Sequence, residues 1–291
     1  MSPSTRRAGH SSGGRSGGRG TDAAYIVGQA VLVLLFVFPL LWVLSLSLKS
    51  APETLQSPPS LLPSSPQWGN YTHVLDTTPI GRYLLNSMFL VVASVAGALA
   101  LGVPAAYALS RLVFPAHRPF SRGLLAAQLI SPLIIAVPLY RLFVSLHLVN
   151  NYVGLVLVYI AVIAPFLTWF LKSYLDTVPV SLDEAALVDG CSRRGAMVRV
   201  VLPSAMPGIA SAAILGAVTA WSQFALPFIL LDDRDLFPVS VGVVNLQATA
   251  GEITTQYLAA GSVLAVAPVV VLFVVLQRHI VGALTSGAVK G

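Results

Sequence analysis

The chain has 291 residues, of which 56% are hydrophobic and 10% charged, and its mean hydropathy is +0.81. That is too apolar for a soluble domain of this length and places the chain among integral membrane proteins. The single cysteine, Cys191, excludes an intramolecular disulfide and a multi-cysteine metal cluster, and the net charge of +6 reflects membrane orientation, not nucleic-acid binding.

Residues 1–22 form a Ser/Gly/Arg tail without apolar periodicity, which predicts disorder. Arg6-Arg7 does not open a twin-arginine export signal, because the apolar run behind it, 23–48, is too long and lacks a small-x-small cleavage pattern. It reads as the first of six transmembrane helices. The others are expected at 83–109, 124–143, 153–171, 208–231 and 258–276, each long enough to cross about 30 Å of hydrocarbon. Between them lie an external loop 49–82, rich in Pro and Ser with Trp68 and Tyr71, a connector 172–207, and a second external loop 232–257 that opens Asp232-Asp233-Arg234-Asp235. Asn70-Tyr71-Thr72 has the spacing of a glycosylation acceptor and is read as a chance match. Six spans put both termini on one side. Of the 17 Lys and Arg only Lys49, Arg82, Arg141 and Arg234 fall on the other, so the positive-inside rule makes both termini and the connector cytoplasmic.

Every run holds proline: Pro39, Pro104, Pro132 with Pro138, Pro165, Pro227 and Pro268. Proline removes a helix hydrogen bond and kinks the rod, which lipid tolerates where neighbouring helices or a cavity satisfy the freed carbonyl. Kinked helices suit a moving pathway better than an inert anchor. No carboxylate lies in any of the six runs, and the one charged residue inside their bounds is Arg141 near the end of the third. A carrier driven by protons or sodium usually needs a buried carboxylate, so coupling of that kind is not expected. Nor does the chain hold a phosphate-binding loop, since none of its three lysines follows a glycine. Energy for uphill transport must therefore come from another polypeptide, and a cytoplasmic helical connector is where it would dock.

The connector reads as helix, sharp turn, helix. Ser181-x-x-Glu184 has the spacing of a capping box, which would start the first helix near Leu182. Gly190 suits the left-handed residue that ends it, Ser192 suits a second cap, and Pro203 closes the next helix about three turns on. On its own this is also what an ordinary capped amphipathic connector looks like.

The string Glu184-Ala185-Ala186, three residues, Gly190, nine residues, Val200, then Leu202-Pro203 resembles the EAA loop in permease subunits of bacterial ATP-binding-cassette (ABC) importers. Asn86-Ser87, Ala105 to Arg111, Pro138-Leu139-Tyr140, Trp221-Ser222-Gln223-Phe224 and the final Gly287-Ala288-Val289-Lys290-Gly291 are similar to the maltose-type, carbohydrate-uptake branch of that family. The resemblance runs from Tyr25 to the last residue. Ser222 and Gln223 depart from the Trp-Asn-Glu-Phe that the branch commonly carries there.

The resemblance implies a type I importer permease fold, all α, working as a heterodimer with a second, related permease. Two ATP-binding subunits would hold the ATP and magnesium, so that this chain binds no cofactor, and an external solute-binding protein would deliver a sugar. Glu184, Ala185, Ala186, Asp189, Gly190, Leu202 and Pro203 would then couple the chain to the motor, the paired alanines letting the helix lie deep in a groove. Arg193, Arg194 and Arg199 would either pair with acidic groups on the motor or meet anionic lipid heads. For the pathway the candidates are Thr219, Trp221, Ser222, Gln223 and Phe224, with Gln128, Ser131, Tyr159 and Thr168 behind them; helix packing explains the same residue types equally well. The scarcity of charge in the runs favours a neutral mono- or oligosaccharide over a glycerol-phosphate-type cargo, with another polyol left open. The five histidines show no metal-ligand spacing, and no nucleophile faces a base, so no enzyme reading survives. A secondary carrier and a non-transporting scaffold remain as other classes.

Overall fold

We describe the fold from a computed structural model, over residues 18–112, 114–115, 117–249 and 254–288. Most of the expected tail with its Arg6-Arg7 pair, the Gly251 region of the second external loop, and Val289-Lys290-Gly291 lie outside the described residues. Among the described residues the regular elements are all helices: α1 Gly18–Ser47, α2 Ala51–Thr54, α3 Gly69–Thr77, α4 Ile80–Arg111, α5 His117–Ala127, α6 Pro132–Ser145 and α7 Tyr152–Leu175. The connector, described below, holds α8 Ser181–Val188 and α9 Arg193–Ser204, and after it come α10 Met206–Trp221, α11 Ala225–Leu230, α12 Val239–Thr249 and α13 Thr255–Ala288.

Among the described residues four helices are long and apolar enough to cross a membrane, at Tyr25–Ser47, Ile80–Arg111, Tyr152–Leu175 and Thr255–Val275, and the pair α9 and α10, bent by 76°, would supply a fifth. Two of the six expected continuous spans are broken instead. The run 124–143 divides at Gln128–Ser131, where Ser131 caps α6 by accepting from the Leu133 amide and Pro132 takes the first helical position. The run 208–231 stops at Trp221 and resumes at Ala225. Helix α1 begins at Gly18, so the last residues of the expected tail are helical. The loop 49–82 holds α2 and α3, and the loop 232–257 holds α12.

The core forms where α4 lies along α7. Ser94, Gly97, Ala98 and Gly102 give α4 a stripe of small residues at helical spacing, and small residues let membrane helices approach closely. A Cβ on Gly97 would fall 2.4 Å from the Ile160 side chain. From α7, Tyr159, Ile163, Leu167 and Leu171 fill the contact and are almost fully buried. Helix α10 crosses this pair, its Gly216 seated against Leu167, Val95 and Ile163. Helix α13 then packs on α10 and on α1. Helix α1 itself is exposed over nearly its whole apolar surface, a face suited to hydrocarbon or a second membrane subunit.

At the end of the bundle away from the connector the first loop is tied down by hydrogen bonds. The Lys49 ammonium, 1% exposed, lies 4.8 Å from the Trp42 ring centre and donates to the Ser60 carbonyl. Glu53 accepts from the Ser64 amide at 2.7 Å. Asn70 donates to the carbonyls of Ser47 and Lys49 at 2.8 and 2.9 Å, which uses the side chain a glycan would need. Between α6 and α7, Asn150 holds a left-handed backbone (φ 55°), and its side-chain oxygen accepts from the amides of both Asp232 and Asp233 at the start of the second loop.

Candidate coupling site and solute pathway

The connector forms the two short helices α8 and α9. Val180 already has helical dihedrals (φ −64°, ψ −27°), and its carbonyl accepts from the Asp183 and Glu184 amides. Ser181 is thus the first helical residue rather than a cap, and the expected capping box does not form. Asp183 and Glu184 in the first turn complement the positive end of the helix dipole instead. The other end follows the expectation closely. Gly190 sits at φ +85°, its amide donates to Leu187, and the Cys191 amide donates to Ala186, the paired bonds of a Schellman motif. Ser192 then caps α9 by accepting from the Gly195 amide at 3.2 Å.

Helix α9 is not regular. Between Met197 and Val201 it widens to a π turn, and the Leu202 amide reaches back five residues to the Met197 carbonyl. Pro203 gives the reason: it has no N–H for the Arg199 carbonyl, and its ring would crowd that oxygen in a tighter coil. Ala205 breaks the helix, and α10 leaves at the 76° bend.

The expected coupling residues divide by face. Glu184, Ala185, Asp189 and Gly190 are exposed, together with Leu187 and Val188, the last at 87%. Ala186 is buried at 5%, so the paired alanines do not share one outward edge as expected. Arg193, Arg194, Arg199 and Pro203 are exposed and Leu202 is half-buried.

What holds α8 in place is a set of contacts that the sequence reading did not anticipate. Asp183, immediately before Glu184, points inward. Its Oδ1 accepts from the Tyr107 hydroxyl at 2.7 Å and its Oδ2 from Arg111 Nε at 2.8 Å. Arg111 also donates from Nη2 to the Val178 carbonyl at 2.8 Å and from Nη1 to the Ser110 hydroxyl at 3.0 Å. The Ser110 hydroxyl donates to Asp176, whose other oxygen takes Lys172 Nζ at 2.5 Å. The Arg111 and Asp183 side chains are only 5% and 9% exposed. Removing one member of such a buried pair costs about 3–5 kcal/mol, because the other charge is left without a partner. Arg111 enters the sequence reading through its charge and as the last residue of the Ala105–Arg111 resemblance, with no structural role given to it; the signal for that role is that Tyr107 and Arg111 share a helix face at the end of α4.

The pathway candidates scatter. Thr219 and Ser222 bond carbonyls of their own helix, at Leu215 and Thr219. The Trp221 indole N–H donates to the Ala265 carbonyl of α13 at 3.1 Å. Gln223 lies in the break, its carbonyl accepting from the Ser240 hydroxyl, and Phe224 is exposed and stacked on Phe228 with ring centres 5.3 Å apart. Gln128 and Ser131 are exposed at the other break, so the two interrupted runs carry the accessible candidates. Tyr159 and Thr168 do not belong with them. They are 1% and 4% exposed inside the contact of α4 with α7, and Thr168 bonds the Ala164 carbonyl of its own helix.

Residues 98–286 match the family described as the binding-protein-dependent transport system inner membrane component. The chain belongs to this family. It is a multi-pass inner-membrane permease, the transporter component without an ATPase site, and it works with an ATPase and a solute-binding protein. It is 33% identical to the sulfoquinovosyl glycerol transport system permease of Agrobacterium fabrum, over 91% of this chain and 93% of that one. It is 35% identical to a diacetylchitobiose uptake system permease of Streptomyces coelicolor, over 91% and 88%. It is 32% identical to the trehalose transport system permease of Mycobacterium tuberculosis, over 91% and 94%. Among solved structures, a bacterial ABC transporter involved in import of the acidic polysaccharide alginate has a chain that superposes with a TM-score of 0.77 at 22% identity, covering 89% of this permease and 96% of that chain. The broken spans and bent connector therefore belong to an ABC importer permease fold.

Proposed function

We propose that this permease carries a neutral mono- or oligosaccharide inward, as one half of a heterodimer with a second permease, driven by two ATP-binding subunits and fed by an external binding protein. ATP and magnesium would be held on the motor subunits. The observation that carries the coupling part is the helix α8: an exposed outer face of Glu184, Ala185, Leu187, Val188 and Asp189 on a helix whose inner face is fixed to α4 by Asp183. Both termini and the connector are then cytoplasmic, which puts α8 beside the motor, and Arg193, Arg194 and Arg199 face the same water.

Support for a sugar comes from the relatives named for sulfoquinovosyl glycerol, diacetylchitobiose and trehalose. Support for neutral cargo comes from the runs themselves, which hold no carboxylate and only Arg141 inside their expected bounds. Thr219, Trp221, Ser222, Gln223, Phe224, Gln128 and Ser131 are the residues we place along the pathway. The test is uptake of labelled disaccharides into proteoliposomes holding the four-subunit complex with its binding protein. Accumulation should require ATP and fall to background when Ala185→Trp blocks the outer face of α8. Accumulation against a gradient by this chain alone would overturn the proposal.

A further inference from the structure

Helix α8 makes its main-chain contacts with the segments that follow it, and it reaches α4 chiefly through side chains. The Asp183 carboxylate is the strongest of these. Both of its oxygens are taken by residues of α4 one turn apart, Tyr107 on Oδ1 and Arg111 on Oδ2. Arg111 at the same time holds the Val178 carbonyl, in the segment that leads into α8. Through Ser110 and Asp176 the last turn of α4 is joined to the last turn of α7. An apolar contact in this place could slide by a fraction of a turn with little change in energy, whereas hydrogen bonds to both oxygens of one carboxylate fix its position and its angle. Buried ion pairs are poor evidence of added stability, since apolar residues of similar volume commonly serve as well, and register is their better-attested use.

We infer that Asp183 is a positioning residue for coupling: through Arg111 and Tyr107 it fixes α8 to α4, so that displacement of α8 moves α4 and α7 with it. The inference rests on the reading that α8 is the surface met by the motor. Its distinguishing consequence is a change in stoichiometry. Breaking the link leaves the motor bound and hydrolysing ATP, with less solute moved per ATP.

The experiment uses the full complex in proteoliposomes and reads three quantities: co-purification of the ATPase, ATP hydrolysed, and solute accumulated. The double variant Arg111→Met with Asp183→Leu replaces the pair by apolar side chains of similar bulk. It should retain the ATPase and its hydrolysis while solute per ATP falls about tenfold. An unchanged ratio would overturn the inference, because packing alone would then suffice. Should the double variant fail to assemble, Tyr107→Phe removes one hydrogen bond and no charge; we expect about a threefold fall in the ratio, and no fall overturns the inference. The docking reading fails separately, if Val188→Arg on the outer face leaves ATPase binding and ATP-driven uptake intact.

Discussion

The indole N–H of Trp221 donates to the Ala265 carbonyl across 3.1 Å, one residue along α13 from the Leu264 carbonyl that Pro268 leaves without its helical donor. Proline leaves a helical carbonyl unpaired and weakens the turn around it, and a donor from a neighbouring helix beside it steadies that turn. Trp221 therefore ties the end of α10 to α13 beside Pro268 before it offers anything to a solute. Trp221→Phe keeps an aromatic ring, smaller than the indole, and loses the bond. It should lower the unfolding free energy of the detergent-solubilised protein by about 1 kcal/mol, read as a shift in Tm.

Gly190 at φ +85° has nothing within 4 Å of where a Cβ would stand. Any loss on substitution therefore comes from the backbone and not from a clash, at about 1–2 kcal/mol for an ordinary side chain. Gly190→Val should reduce uptake strongly, while Gly190→Asn, which tolerates the left-handed region, should keep most of it. Equal uptake by the two variants would contradict this account of the turn.

Gly242 of α12 stands over the buried ring of Tyr83, and a Cβ there would fall 2.0 Å from a ring carbon. Tyr83 is 1% exposed, so its ring is enclosed by the core. Gly242→Val should cost about 1–3 kcal/mol by overpacking. The double variant Gly242→Val with Tyr83→Ala should recover part of the loss in a thermal unfolding assay.

The Glu53 carboxyl is held below its ordinary pKa, first by the backbone N–H of Ser64, with the Ser50 amide and the charge of Lys49 assisting. A depressed carboxyl contributes stability that is present above the unfolded value of about 4.3 and is lost as pH falls through the lower, folded value. Hydrogen exchange at the Ser64 amide, corrected for the intrinsic rate, should show protection from neutral pH down to that lower value and then a sharp loss. Glu53→Gln should abolish the step.

Much of the fold is visible in hydropathy alone, because α1, α4, α7 and α13 are long uninterrupted apolar runs and length is the physical requirement for crossing a membrane. The breaks are not visible that way. Averaged hydropathy is blind to three or four residues of non-helical backbone, and at Gln128–Ser131 only Ser131 followed by proline marked a helix start inside a greasy run. In the connector, Gly190 and Ser192 were legible because a left-handed residue and a cap are local chemistry. Asp183 was not, because its partners Tyr107 and Arg111 lie more than 70 residues away. Ser181 misled for a related reason: its spacing to Glu184 is right, but the chain enters the helix one residue earlier, at Val180.

The bend at Ala205 carries a mechanical consequence. Helix α10 has 16 residues, about 24 Å of rigid rod, so a tilt of about 10° at the elbow sweeps its far end sideways by about 4 Å. The widened coil just before the elbow is the softest part of that arm, since its carbonyls are bonded in a longer, looser ring. A small rotation imposed on the outer hairpin is thereby geared up into a lateral stroke at Trp221, at the far end of the rod.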